Sequence, residues 1–208
     1  MIKKIVIINT GSGNMLSIKR AIHRLGYTPI ISSNINEILN AYKLILPGVG
    51  AFGNSIDYLQ RNDLFETIIN LKKKQISTLG ICLGMQILLN SSDEFGHNEG
   101  LGLIKGKVEK IPNNKYFKIP SIGWFKLEFE DLSFTKNQNI DINSKYYFVH
   151  SYHATEISKN DLVAHYKIQD FKIPAIIRNK NIMGFQFHLK KSGEAGIKLL
   201  GIFLNLSY

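Results

Sequence analysis

The chain has 208 residues, of which 44% are hydrophobic and 20% are charged, and its formal net charge at pH 7 is +10. This composition excludes a disordered chain, and no apolar stretch approaches the roughly 18 residues that a membrane-spanning helix needs. A single cysteine excludes a disulfide framework and a cysteine-rich zinc site, so a reducing cytoplasm is the predicted compartment.

The first half of the chain alternates buried strands with amphipathic helices. Apolar runs predict strands at 4–8, 28–31, 43–46 and 76–81. Helix-spaced apolar positions predict helices at 16–25, 54–59 and 64–71, and Gly26 ends the first of them. This order implies parallel strands with right-handed crossovers. We therefore predict an α/β fold of the flavodoxin-like type, with a doubly wound, mostly parallel sheet and helices on both faces.

The pattern changes after residue 105. Short β-rich stretches at 107–111, 125–130, 145–150 and 182–187 predict added antiparallel hairpins. A helix is predicted from 193 to 204. No linker or repeat divides the chain, so residues 1–208 are predicted to form one domain.

The positive charge does not by itself predict a nucleic-acid partner. Its dense clusters are "LKKK" at 71–74 and "HLKKS" at 188–192, and the remaining cations are scattered. Nucleic-acid binding needs the charge gathered on one face among exposed aromatic residues. We predict no nucleic-acid binding and no membrane binding, and a basic face fits an acidic protein partner better.

In a doubly wound sheet, ligands bind beyond the carboxyl ends of the strands, so the strand-to-helix junctions are candidate sites. The first junction, "INTGSGNMLSIKRAI", lacks the third glycine of a dinucleotide fingerprint, and the chain has no phosphate-binding loop that ends in Gly-Lys-Ser/Thr. No cofactor or metal is predicted. The second junction, "LPGVGAFG" at 46–53, is either a glycine-rich turn or a loop whose backbone N–H groups bind an oxyanion.

The third junction, "GICLG", contains Cys82 between two glycines. It matches the glycine-x-nucleophile-x-glycine elbow, in which the nucleophile occupies a strained strand-to-helix turn. The helix dipole and free N–H groups at such a turn are expected to lower the pKa of the thiol. A buried, inert cysteine is the alternative, and a base beside the thiol would decide against it.

Six histidines compete for the role of that base. Three lie in a predicted helix, a polar loop and a β-rich stretch, where surface or structural roles are typical: His23, His97 and His165. Two more flank the end of a strand: His150 and His153. His188 ends the last apolar strand, "IMGFQFH", and should emerge at the same edge of the sheet as Cys82. We predict that His188 is the base.

Together these segments resemble a known family. The stretches "SGN", "LPGVGAFG", "GICLGMQ", "EGLGLIKGKVEKI", "IGW", "YYFVHSYHA" and "GFQFH", the last followed by "KSGEAG", occur in the family's order and near its spacing. Over nearly its whole length, the chain is similar to the glutaminase subunits of imidazole glycerol phosphate synthase, which are class I glutamine amidotransferases.

The resemblance implies a reaction. Cys82 would attack the side-chain amide of glutamine, and His188 would protonate the departing ammonia and then activate water. Three backbone N–H groups would hold the oxyanion: those of Val49, Gly50 and Leu83. The amino-acid end of glutamine would be bound by Gln86, Glu94 and the backbone of Ser151 and Tyr152.

The resemblance also implies a partner. In the family, ammonia passes to a (β/α)₈-barrel cyclase subunit, which makes imidazole glycerol phosphate for histidine biosynthesis. The two subunits form a heterodimer. Asn14, Trp124 and Lys191 would lie toward the cyclase.

Several positions depart from the family pattern. The chain has "NTGSGN" in place of "DYGSGN" and "SIGWF" in place of "HMGWN", so interface positions 9, 10, 121 and 125 differ. It also has "HLKKS" in place of "HPEKS". Lys190 thus occupies the position of the glutamate that orients the catalytic histidine, and Leu189 replaces a proline.

Lys190 leaves three functions open. The chain is a working glutaminase for a cyclase, a paralogue that supplies ammonia for amidination of a surface sugar, or a catalytically weak regulatory subunit. A cysteine hydrolase unrelated to glutamine would fit the elbow, but it would leave "PGVG" and "FVHSY" unexplained.

Overall fold

The computed structural model describes residues 3–11, 13–112, 118–136 and 138–206. Its first half alternates strands and helices, as the sequence predicts. In chain order these elements are β1 (Lys4–Ile8), α1 (Met15–Arg24), β2 (Thr28–Ser32), α2 (Ile35–Leu39), β3 (Lys43–Gly48), α3 (Phe52–Arg61), α4 (Leu64–Lys74), β4 (Ser77–Cys82) and α5 (Leu83–Ile87).

The second half consists mainly of strands, several of them short. They are β5 (Ser91–Ser92), β6 (Asn98–Glu99), β7 (Lys107–Lys110), β8 (Ser121–Lys126), β9 (Glu128–Phe129), β10 (Lys145–His150), β11 (Tyr152–Thr155), β12 (Leu162–Ile168), β13 (Phe171–Asn179) and β14 (Ile182–Phe185). Helix α6 (Leu132–Lys136) follows β9, and helix α7 (Gly193–Asn205) follows β14.

The central sheet has the strand order β2-β1-β3-β4-β14-β13-β12-β9. The five strands from β2 to β14 run parallel, and β13, β12 and β9 continue the sheet antiparallel. In β1, Ile5 and Ile7 enter one core while Val6 and Ile8 enter the other, because side chains alternate along a strand. Strands buried on both faces read as continuous apolar runs. The predicted α/β fold with a mostly parallel sheet is confirmed.

Two smaller sheets contain the predicted antiparallel pairs. Strands β8 and β10 form one of them, and β11 pairs with β7 in a sheet of order β11-β7-β5-β6. Strand β10 ends at His150 and β11 begins at Tyr152, so Ser151 is the corner between these two sheets. This corner lies against the carboxyl end of the central sheet.

Some boundaries differ from the prediction. The strand predicted at 125–130 is divided at Leu127 between β8 and β9, which pair with different strands. The strand predicted at 182–187 ends at Phe185. Helix α2 was not predicted, because a single turn with one buried residue, Ile38, gives no periodic signal. Among the helices of the described ranges, none is long and apolar enough to cross a membrane.

Candidate active site

The chain makes a sharp turn at Cys82, between β4 and α5. Cys82 has φ 56° and ψ −113°, a strained backbone for a residue with a side chain. A Cβ added at Gly84 would lie 1.8 Å from the carbonyl oxygen of Leu46, and one at Gly80 would lie 2.4 Å from that of Gly84. Only glycine allows this close packing of the turn on β3. The predicted nucleophile elbow is present, with the thiol at the carboxyl edge of the sheet.

Cys82 and His188 form a pair. The Cys82 Sγ lies 3.4 Å from the His188 Nε2. Strand β14 runs parallel to β4 with Phe185 opposite Ile81, so the segment after β14 passes beside the elbow. The backbone of His188 is fixed, because its N–H donates to the carbonyl of Tyr147 at 2.9 Å and its carbonyl accepts from the Ser192 hydroxyl at 2.8 Å. His188 is thus the histidine that the fold places at the thiol.

The pKa of the Cys82 thiol is raised in the structure, whereas the sequence predicts that it is lowered. Burial raises the pKa of the Cys82 thiol from 9.0 to about 11, and a hydrogen bond from the Leu83 N–H lowers it by less. The expectation of a lowered thiol pKa is therefore wrong. Helix α5 has only five residues, and loss of solvation outweighs its dipole.

Burial also lowers the pKa of His188 below 6.5, and the charge of Lys191 lowers it further. Near neutral pH the resting pair is therefore a neutral thiol and a neutral imidazole.

Lys190 does not replace the orienting function of a glutamate. Its side chain is exposed and makes no hydrogen bond or ion pair within the described ranges. The neighbouring charge that acts on His188 belongs to Lys191. In the same part of the chain, no residue hydrogen-bonds the His188 Nδ1. The ring is held at Nε2 by the thiol and is unrestrained at its other nitrogen.

A cavity of about 310 Å³ opens beside the pair. It brings together the predicted catalytic pair, the predicted oxyanion residues and the predicted glutamine-binding residues. Its lining is Val49, Gly50, Cys82, Leu83, Gln86, Glu94, Val149, His150, Ser151, Tyr152 and His188. Residues that are up to 139 positions apart in sequence, from Val49 to His188, thus share one wall.

The glycine-rich loop after β3 lies directly against the elbow. Gly48 pairs with Cys82 in the sheet, so Val49 and Gly50 follow at the level of the thiol. Gly50 has φ +99°, which a side chain would strain. Glu94 supports this loop, because its Oε2 accepts a 2.7 Å hydrogen bond from the N–H of Phe52, the first residue of α3. Glu94 therefore has a structural contact in addition to its place in the cavity wall.

A second cavity of about 310 Å³ also adjoins the pair. Cys82, His188 and Val49 line both cavities, and the second is also lined by Asn14, Lys190 and Lys191. Its lining, as far as the structure describes it, contains no acidic residue. The Cys82–His188 pair thus adjoins both a cavity lined by the predicted substrate residues and one lined by predicted partner residues.

Two of the predicted partner residues, Trp124 and Lys191, contact Tyr147, and the third, Asn14, lines the second cavity with Lys191. The side chain of Trp124 is 58% exposed, and its ring centroid lies 4.7 Å from that of Tyr147. The Nζ of Lys191 lies 4.5 Å from the same Tyr147 centroid. Lys191 and Asn14 line the second cavity together. Sequence reasoning missed Tyr147, although its place opposite Trp124 follows from the β8–β10 register.

Packing within the chain argues against the interface assignment at three of the four divergent positions. Thr10 and Ser121 are almost fully buried. Phe125 points inward and packs on Tyr166, with 4.7 Å between ring centroids. In β8 the outward positions are Ile122 and Trp124, so the residues on either side of them in sequence face the core.

Sequence reasoning also missed Gln186, which is fully buried and has its Nε2 3.9 Å from the Cys82 Sγ. A glutamine inside the apolar run "GFQFH" was the available signal, since a buried amide needs hydrogen-bond partners. The other histidines lie away from the thiol: His23 and His97 are exposed, and His153 and His165 are buried. His150 is buried and is among the residues that line the first cavity.

Comparison with known proteins places the chain in a family. The profile of the class-I glutamine amidotransferases matches residues 6–204. The chain is 45% identical to the imidazole glycerol phosphate synthase subunit HisH of Lactococcus lactis, over 97% of this chain and 98% of that protein. It is 41% identical to the HisH of Prochlorococcus marinus, over 95% of each chain.

Solved structures support the fold. The PurLQS structure from Thermotoga maritima has a TM-score of 0.72 at 20% identity, with 99% of both chains covered. A glutamine amidotransferase crystal structure has a TM-score of 0.71 at 17% identity, with 96% of both chains covered. The chain belongs to the class-I glutamine amidotransferase family, in the branch that contains these HisH subunits.

Proposed function

We propose that this chain is the glutaminase subunit of an imidazole glycerol phosphate synthase, and that Cys82 and His188 carry out its reaction. The observation that carries the proposal is the Cys82 Sγ, 3.4 Å from the His188 Nε2 beside a cavity of about 310 Å³, in a chain similar over 97% of its length to a HisH subunit. Residues 1–208 act as one amidotransferase domain. The product of the subunit is ammonia for histidine biosynthesis.

The first step forms a thioester. Glutamine binds with its side-chain amide at Cys82, and His188 Nε2 takes the thiol proton as Sγ attacks the amide carbon. Because the resting thiol is protonated, this transfer occurs during the attack and not before it. The carbonyl oxygen becomes an oxyanion, which accepts hydrogen bonds from the N–H groups of Leu83 and the Val49–Gly50 loop.

The second step releases ammonia and restores the thiol. The imidazolium of His188 gives its proton to the amide nitrogen, the C–N bond breaks, and ammonia leaves. His188 then accepts a proton from water, whose oxygen attacks the thioester. The C–S bond breaks to release glutamate, and the imidazolium returns its proton to the Cys82 sulfur. Glutamine and water are thus converted into glutamate and ammonia.

The other residues of the first cavity bind the amino-acid end of glutamine. The carboxylate of Glu94 suits an α-ammonium group, and the backbone at Ser151 and Tyr152 supplies polar groups along the same wall. Gln86 lies beneath them and donates to the Tyr152 carbonyl at 3.0 Å. This polar wall opposite the thiol would fix the direction in which the amide enters.

The partner is a (β/α)₈-barrel cyclase that forms a heterodimer with this chain. Trp124, Lys191 and Asn14 form its docking face, and the second cavity leads from the reacting pair toward that face. Ammonia released at His188 would pass through this cavity without crossing the cavity that holds glutamate. The full-length likeness to HisH subunits favours this role over ammonia supply for a surface sugar.

A catalytically weak regulatory subunit is the second candidate, and one observation favours it. Lys190 provides no carboxylate for His188, whose Nδ1 has no partner in the described ranges. A cysteine nucleophile needs less help from its base than a serine does. We therefore expect reduced activity, not none.

The test is ammonia release from glutamine by the chain alone and with its barrel subunit. We expect slow turnover by the chain alone and faster turnover in the complex, because the partner can bias the oxyanion loop toward its binding conformation. Cys82→Ser should abolish the reaction and retain the fold, and a glutamine-like electrophile should label only Cys82. Full activity of the isolated chain would contradict the dependence on a partner, and labelling that persists in Cys82→Ser would refute the nucleophile.

A further inference from the structure

A buried row of hydrogen bonds runs from β8 to the first cavity. The Ser121 Oγ lies 3.0 Å from the Tyr166 hydroxyl, which lies 3.0 Å from the His150 Nε2. The His150 Nδ1 lies 2.7 Å from the carbonyl oxygen of Tyr152. All three side chains are almost fully buried, so each bond is shielded from water. None of them belongs to the reaction proposed above.

Chemistry fixes the direction of every bond in this row. The Tyr152 carbonyl can only accept, so the His150 Nδ1 must carry a proton. Burial lowers the pKa of His150 to about 4, so the ring is neutral and its Nε2 is an acceptor. Tyr166 therefore donates to His150 and accepts from Ser121. His150 is held in a single tautomer.

The row continues from the Tyr152 carbonyl to the thiol. The Gln86 Nε2 donates to this carbonyl at 3.0 Å and to the Gln186 Oε1 at 3.0 Å. Because the Gln186 oxygen faces Gln86, its amide nitrogen must face the other way, toward the Cys82 Sγ at 3.9 Å. The carbonyl of Tyr152 thus determines the orientation of two buried amides in succession.

The thiolate that forms during attack needs donors. Cys82 is buried, so water cannot solvate a negative sulfur, and the Leu83 N–H is one donor that reaches it. After the His188 Nε2, which lies 3.4 Å from the sulfur, the Gln186 amide at 3.9 Å is the other side-chain N–H aimed at it within the described ranges. A neutral thiol is a weak hydrogen-bond acceptor, but a thiolate is a strong one, so the hydrogen bond from the Gln186 amide would become shorter and stronger when Cys82 is ionised.

We propose that Gln186 donates a hydrogen bond to the developing Cys82 thiolate, and that His150 is a positioning residue that orients this donor through Tyr152 and Gln86. The inference rests on Cys82 as the reacting group, as proposed above. It adds Gln186 and His150 to the residues that stabilise the reacting sulfur. Gln186 lines neither of the two cavities described above.

The first test measures alkylation of Cys82 by iodoacetamide, which needs no glutamine. Because Cys82 is the only cysteine, the rate reports on one sulfur. Gln186→Met retains the size of the side chain but removes the donor, and we expect alkylation at about pH 8 to slow about tenfold, as for a rise of one unit in thiol pKa. A rate equal to that of the wild-type protein would overturn the role of Gln186.

The second test compares two variants of His150. The amide nitrogen of asparagine can donate to the Tyr152 carbonyl in place of Nδ1, so His150→Asn should retain the wild-type alkylation rate. His150→Leu removes this hydrogen bond, so the Gln86 and Gln186 amides are no longer held in one orientation and alkylation should slow about threefold. His153→Leu is the matched control, because this buried histidine packs on Phe171 and its Nδ1 has no hydrogen-bond partner among the described residues. Equal rates for His150→Asn and His150→Leu would overturn the positioning role.

These outcomes are separate from the proposed function. If the wild-type complex does not hydrolyse glutamine but the variants show the predicted alkylation rates, glutamine is rejected as the substrate and Gln186 remains the donor to Cys82. If the wild-type complex hydrolyses glutamine but Gln186→Met is alkylated at the wild-type rate, the role of Gln186 is rejected and the proposed function remains. Thermal melting of each variant shows whether it is folded. If Gln186→Met is unfolded, the comparison of His150→Asn with His150→Leu still tests the Gln186 donor.

Discussion

Replacing Lys190 with glutamate should increase the glutaminase activity of this chain. In the structure, His188 is bound at Nε2 by the thiol, while its Nδ1 has no partner among the described residues. A carboxylate at position 190 could accept a hydrogen bond from Nδ1–H, fix the tautomer and stabilise the imidazolium that forms during attack. Lys190→Glu thus supplies the group that the chain lacks.

The size of the effect follows from where position 190 lies. Removing a carboxylate that orients a metal-bound histidine typically changes activity about 10–100-fold, and we apply the same range to a catalytic histidine. Lys190 is exposed, so solvent screens its charge, and we expect the lower end, an increase in kcat of about tenfold. Position 190 lines the second cavity and not the one with the glutamine-binding residues, so KM should change little.

The assay is glutamine hydrolysis by the complex as a function of pH. The pKa of His188 is held low by burial and by Lys191, and a carboxylate raises it, so the acid limb of kcat/KM should move to higher pH in Lys190→Glu. Lys190→Gln is the matched control. It removes the ammonium without adding a carboxylate, so it should leave the acid limb where it is.

Two results would refute this reasoning. An unchanged kcat in Lys190→Glu would mean that another group already orients His188 or that position 190 does not reach the ring. An equal gain in Lys190→Gln would mean that the positive charge, and not the absent acid, limits the rate.

Three further predictions concern stability and docking. Because the folded-state pKa of Cys82 is raised from 9.0 to about 11, the stability of the wild type relative to Cys82→Ala should fall by about 2 kcal/mol between pH 9 and pH 11, as measured by urea unfolding; a constant difference would reject the burial effect. Gly84→Ala should lower the free energy of unfolding by about 3 kcal/mol, because the added Cβ would clash with the Leu46 carbonyl. Gly26→Ala should lower it by only about 1 kcal/mol, because φ is +83° but the space around Gly26 is open. Equal melting temperatures of the two variants would contradict this. Trp124→Ala should weaken binding of the barrel subunit about 30-fold in calorimetry, as for a central aromatic contact, and unchanged affinity would remove Trp124 from the docking face.

The elements of the site could be predicted because each has a local signal. Strands buried on both faces give apolar runs, and the elbow needs glycines within two positions of Cys82. His188 could be chosen because parallel strands end at the same edge of a sheet. These arguments depend on sequence neighbours and on topology, and both are visible in the chain.

What could not be predicted depends on contacts between distant segments. The pKa of Cys82 is set by how completely other segments cover it, and no pattern around residue 82 reports that. Ser121 was assigned to an interface because strand alternation was not applied in β8, where its neighbour Ile122 is the exposed one. The row of hydrogen bonds through His150 joins β8 to β10, β11 and β12, and its longest link is between Ser121 and Tyr166, 45 positions apart.

The burial of Cys82 also bears on how the protein tolerates oxidants. Peroxide reacts with thiolates and not with thiols, and the raised pKa keeps the resting sulfur protonated, so an idle subunit should resist oxidation. The vulnerable moment is the catalytic cycle, when the proton has left. A sulfenic acid formed then has no second cysteine in the chain with which to condense. Its rescue depends on an external thiol that can enter a narrow cavity before a second oxidation makes the damage permanent.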